Sequence, residues 1–173
     1  MRFLILLGCI SLLYSSPSRM PRPTAAMTCW VPVYAAPGAR VISFQPPRAI
    51  NSSGKIYTIG NYLFQVERDS GIHVIDYTNK TAPQKIGFIR SLYCTEMSIR
   101  NQHLFINNLD DLVVLNIANI YNPVEVGRVP HAFPMQAGPY PPGNGIFFEC
   151  PDPSKGEVIG WKVETRDYPK CYR

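Results

Sequence analysis

The sequence predicts an all-β protein: two propeller-blade-like antiparallel β repeats with flanking strands, short relative to a closed propeller. Three observations predict it. One stretch of residue types recurs after forty positions, short β-branched apolar runs are bounded by Asp, Asn and Gly, and the 17 prolines crowd into the flanks, leaving the middle to Pro83 and Pro123. The chain has 173 residues, 46% hydrophobic and 17% charged, which is apolar enough to fill a core and too weakly charged for disorder. That length holds one domain, or at most a small second one, and the composition disfavours a helical bundle, a multi-domain enzyme and a transporter.

Residues 1–8 read as a signal peptide. Arg2 is followed by Phe3 to Leu7, and the apolar run to Leu13 is far short of a membrane span. Leu6-Leu7-Gly8-Cys9 resembles a bacterial lipobox, so Cys9 is expected to be the acylated mature N-terminus and the protein to sit on a membrane without crossing it. Residues 9–28, with Pro17, Pro21 and Pro23 and no apolar periodicity, read as a flexible tether. Residues 29–173 then form a single β domain. Trp30 to Phe44 and Lys55 to Ile59 can each supply strands.

The repeats span 60–89 and 100–129. Advancing by forty places Asn61 on Asn101, Ile72 on Leu112, Val74 on Val114, Asp76 on Asn116, Asn79 on Asn119, Pro83 on Pro123 and Gly87 on Gly127. One compensated single-residue shift brings Leu63-Phe64 onto Leu104-Phe105. The period is that of a four-stranded propeller blade. Ile72 to Ile75 and Leu112 to Leu115 are expected as central strands. A helical stripe through Leu109, Leu112, Val113, Asn116 and Ile120 is outweighed, because the first unit has none. Beyond the repeats, Ala132 to Asn144 reads as a long surface loop, first of all a crossover strap, although a long ordered loop is also where a binding function would sit. Residues 145–164 read as a C-terminal hairpin turning at Asp152 to Gly156.

An aromatic-apolar strand, then Gly71-Ile72-His73-Val74-Ile75-Asp76, a polar turn closing on Pro83 and a Gly-containing strand together resemble the LVIVD repeat, a propeller-type repeat of exported bacterial proteins. Val31 to Tyr34, Pro47-Arg48, Gly54 to Tyr57 and the run from Gly60 to Ile75 resemble the N-terminal portion of uncharacterised LVIVD-repeat lipoproteins. The resemblance covers about Trp30 to Val129. It implies a lipid-anchored protein of the bacterial cell envelope, at the outer membrane, with no catalytic residues to carry across. Two units leave blade faces open, so a homo-oligomer or the flanks must cover them.

Setting Cys9 aside, the four cysteines of an exported chain suggest two disulfides; of the three pairings the sequence allows, Cys150 with Cys171 and hence Cys29 with Cys94 are favoured, the competing reading being that some are buried free thiols. Their spacing fits no zinc motif, and no metal or cofactor is expected. Glu67, Asp69 and Asp110-Asp111 read as turn carboxylates. His73 stands where the second unit has Val113, which suggests a solvent-facing or pocket-lining position; neither it nor His103 has an acid placed as a partner in sequence. Ser52-Ser53-Gly54 and Ser98 lack a nucleophile elbow. The formal net charge of +5 is scattered and gives no nucleic-acid stripe. The expected function is therefore a non-enzymatic binding or scaffold module for an envelope protein or glycan. The alternative is an envelope hydrolase-like enzyme with a site around His73, joined by Asp76 or Glu67 between the blades.

Overall fold

The computed structural model describes residues 22–134, 138 and 140–173. The signal peptide, Cys9 and most of the tether lie outside the described residues. The tether ends earlier than expected, because β1 (Met27–Tyr34) already includes Met27 and Thr28.

Among the described residues the chain is all-β, with three open sheets. The structural units start earlier than the repeats at 60 and 100, each with an added first strand: the first holds β3 (Ser53–Ile59), β4 (Tyr62–Glu67), β5 (Gly71–Asp76) and β6 (Gln84–Arg90), and β2 (Ser43–Gln45) adds to its outer edge in the order β2-β6-β5-β4-β3. The second contains β7 (Met97–Arg100), β8 (His103–Asn108), β9 (Asp111–Asn116) and β10 (Val124–Val129), in the order β10-β9-β8-β7. Leu112 to Leu115 thus lie in a strand, as the repeat required.

The two units match down to their irregularities. Val74 pairs Gly87 and Ile75 pairs Lys85 across a bulge; forty residues on, Val114 pairs Gly127 and Leu115 pairs Glu125 across the same bulge. Asp76 and Asn116 each accept the amide two residues ahead, and so do Asn79 and Asn119. These side chains mimic backbone turns, which is why an acid or amide recurs there. One correction concerns the first turn. Gly60 (φ 56°) and Asn101 (φ 48°) occupy equivalent left-handed positions, so Asn61 matches Gln102 and not Asn101. The β4–β5 connection is one residue longer than the β8–β9 turn, which restores the forty-residue offset.

Equivalent faces do not meet. The first unit turns Phe64, Val66, Ile72, Val74 and Ile89 inward, all fully buried, and they pack against Leu104, Ile106, Val113 and Leu115 of the second. Since Ile72 and Val74 correspond to Leu112 and Val114, the front of one unit packs on the back of the next, the stacking of neighbouring propeller blades. Each such fully buried side chain contributes about 1.5–3 kcal/mol relative to exposure.

Residues 46–52 strap the back of the first unit, running from β2 at one edge to β3 at the other. The Arg48 guanidinium lies 3.8 Å above the Phe88 ring, Lys85 Nζ donates to the Arg48 carbonyl at 2.8 Å, and the Asn51 and Ser52 amides donate to Glu67.

The third sheet corrects the expected hairpin at 145–164. Its strands β11 (Phe147–Phe148), β12 (Val158–Arg166) and β13 (Cys171–Tyr172) join β1 in the order β12-β1-β11-β13, so β1 separates the two segments that were to pair. After Asp152 caps a 3-10 turn over Pro153–Lys155, β12 pairs along the full length of β1, whose other edge takes β11 at Trp30. Val31 is buried there. This sheet joins the repeats through Ala39, Leu109 and Ile159 and through Arg40, which pairs with Glu157, Asp110 and Asp111.

Candidate functional site

The cysteines divide. Cys150 and Cys171 form a disulfide with Cα atoms 5.2 Å apart, held by the pairing of β11 with β13 and not by a hairpin. Cys29 and Cys94 are buried free thiols, which corrects the second expected bridge. Cys29 lies in β1 of the third sheet, whereas Cys94 is part of the core between the repeats. Burial pushes the Cys94 thiol up to about 12, which leaves it unreactive.

His73 does have an acid partner, Glu67, on the neighbouring strand at 3.1 Å, but it faces neither solvent nor a pocket. Its side chain is 0% exposed, edge-on to Phe88 beneath the strap. Burial holds His73 below its ordinary pKa, and Glu67 only partly offsets this. Burial also acts to raise Glu67, yet the Ser52 and Asn51 amides and His73 outweigh it and hold the carboxyl below its ordinary range. With the Nε2 proton donated to Glu67, Nδ1 is a buried atom without a partner. A general base needs reach to a substrate proton, and this pair is walled in. Asp76 does not join it; its carboxylate is spent on the Thr78 turn.

Asp110 and Asp111 are likewise more than turn carboxylates. Both are buried, and with His131 they offer three ligand atoms within 4.8 Å of one another. Two guanidiniums already neutralise them: Arg40 reaches both, and Arg128 Nη1 meets Asp111 Oδ2 at 2.7 Å. The Arg40 Nη1 contact with Asp111 is an ion pair without hydrogen-bond alignment. His131 Nδ1 closes the group at 2.5 Å from Asp110. This is an electrostatic joint between the third sheet and the second repeat. His103 bonds only the Asn101 carbonyl of its own turn.

The third sheet carries an aromatic cleft whose members lie far apart in sequence. It holds about 560 Å³ and is lined by Trp30, Trp161, Tyr93, Tyr140, Pro141, Pro142 and Arg173, with Gly138, Ile159 and Gly160. The register Trp30↔Val163 and Pro32↔Trp161 puts both indoles on one face of the sheet. Phe148, the register partner of Trp30 on β11, lies edge-on to Trp161 at 5.6 Å and to Tyr140 at 6.5 Å. Trp161 Nε1 donates to the Gly138 carbonyl, and Arg173 donates to the Pro141 carbonyl while lying 5.4 Å from the Tyr140 ring. The disulfide brings Arg173 to this place. Of these lining residues, Arg173 alone carries a formal charge at neutral pH. The signal in the sequence was the pairing of both tryptophans with a Tyr-Pro-Pro loop, which only the register of β1 on β12 brings together.

No protein-family model, curated protein or solved structure matches the chain.

Proposed function

We propose that this chain is a non-enzymatic binding module, held by lipid on Cys9 at the bacterial cell envelope, whose aromatic cleft receives a glycan of that envelope. The observation that carries the reading is the cleft's lining: two indoles and two phenols around an open groove with one cation. Flat aromatic faces match the apolar C–H faces of a sugar ring, while the Tyr hydroxyls, the guanidinium and loop carbonyls suit its hydroxyls. The LVIVD-like repeat supports the envelope setting, and it rests on the chain's own residues from Trp30 to Val129. The cleft is preferred to a hydrolase-like site around His73 because the His73–Glu67 pair lies buried under residues 46–52.

Titration with soluble oligomers of N-acetylglucosamine, glucose and mannose, read by tryptophan fluorescence and calorimetry, tests this. At least one oligomer should bind the wild type, and Trp161→Ala should weaken it by about tenfold or more. Equal responses from wild type and variant, or none from any oligomer, overturn the reading.

A further inference from the structure

The two repeats share an apolar front face but not its covering. In the first unit Phe64, Ile72, Val74 and Ile89 are fully buried. Their counterparts Phe105, Leu112 and Val114 are only half-buried, and Val129 is 53% exposed. The outer edges differ in the same way. On β6, Phe44 of β2 pairs with Ile89, and its ring occupies the place where a Cβ on Gly87 would stand, 2.0 Å away. On β10 no described strand pairs with the outer edge, and a Cβ on Gly127 would meet nothing nearer than Val114 at 3.7 Å. Val124 and Val126 on this edge are 51% and 55% exposed. The fold thus displays one filled aromatic socket and, forty residues on, the same socket with no occupant among the described residues.

We propose that β10 accepts an extended segment of a partner protein as an added antiparallel strand, with an aromatic side chain of that segment seated over Gly127. The chemistry of the occupant is given by the filled copy: a Phe flanked by short polar residues, as in Ser43-Phe44-Gln45. Main-chain pairing supplies the edge contact, and the ring covers Leu112, Val114 and Val129, as Phe44 helps to cover their counterparts. Pro130 stands where Arg90 does and has no N–H to give, so the added ladder ends at Val129. A second copy cannot offer the back of its first unit to this face, because residues 46–52 close it. This surface is separate from the aromatic cleft, and the inference does not depend on the glycan reading.

The probe is a synthetic peptide with the sequence of residues 41–47, added to the isotope-labelled full chain. Amide shifts and slowed exchange should appear at Val124 to Val129. Replacing the peptide's Phe by Ala, or introducing Gly127→Leu in the protein, should each weaken binding by about tenfold or more. Gly127→Leu fills open space, so its unfolding midpoint should stay near that of the wild type; if it does not, the Phe-to-Ala peptide alone carries the test. The proposal is overturned if shifts appear at β6 instead, if the Ala peptide binds equally well, or if no binding is seen at millimolar peptide. It is also overturned if β10 is occupied by a second copy, seen as a concentration-dependent dimer by light scattering that Gly127→Leu abolishes.

Discussion

His73 Nε2 and Glu67 Oε2 meet at 3.1 Å in a place solvent does not reach, and the same carboxylate accepts the amides of Asn51 and Ser52. A histidine on a central strand is thereby turned into part of a clasp that holds residues 46–52 against the first unit.

Both members of this pair take up protons more readily in the unfolded chain than in the folded one, since His73 is held below 6.5 and Glu67 below 4.5. Their stabilisation is therefore complete above 6.5 and is lost as pH falls, first through the histidine range and then below the usual carboxylate range. Urea melts at falling pH should show this loss. Glu67→Gln should abolish the carboxylate phase but deepen the histidine phase, because the Glu67 carboxylate is what partly raises His73, and should cost about 1–3 kcal/mol at neutral pH. His131 has the opposite sign: its bond to Asp110 raises it above 6.5, so its contribution is present at low pH and fades as pH rises. Imidazole resonances should show His131 titrating above His73; the reverse order would contradict the assignment.

Gly87 and Gly127 are matched in sequence and should respond differently to substitution. Gly87→Ala places a methyl on the Phe44 ring and should destabilise by about 1–3 kcal/mol. Gly127→Ala should stay within about 0.5 kcal/mol of the wild type. Adding Phe44→Ala should remove most of the Gly87→Ala penalty. Additive effects in thermal melts would show that the ring and the glycine are not coupled.

Reducing Cys150–Cys171 should cost about 3 kcal/mol on the chain-entropy estimate, and should free Arg173 from the cleft. Peptide mapping should find that bond, with Cys29 and Cys94 as thiols that a disulfide reagent labels only after denaturation. A mapped bond between Cys29 and Cys94 would refute the assignment.

Mass spectrometry of membrane-derived protein should find an acylated N-terminus at Cys9, and Cys9→Ser should leave the membrane fraction. Cleavage after Ser16, or an intact Met1, would remove the lipid anchor from the proposed function.

The repeat was legible because each unit carries its own turn chemistry: Asp76 and Asn116, Asn79 and Asn119, and Pro83 and Pro123 stand at fixed offsets that one chain displays twice. What did not show was any relation set by register between distant segments. Glu67 and His73 are six residues apart and meet because β4 pairs with β5; Trp30 and Trp161 share a face because β1 pairs with β12. The hairpin failed for the same reason, since a local turn at Pro153 could not reveal that β1 would enter between its arms. An even number of cysteines says nothing of their separation: Cys29 is a buried thiol of β1, and Cys94 belongs to the core between the repeats.

The strap from Pro46 to Ser52 gives the pair of repeats a polarity. With the back of the first unit sealed, a duplicated unit has one place to land, downstream of β10, where an apolar sheet face already waits. An insertion upstream would have to dislodge Arg48 from Phe88 and strand the Glu67 carboxylate without its amides. The array can lengthen at one end only, in the way a crystal with one poisoned face grows from the other.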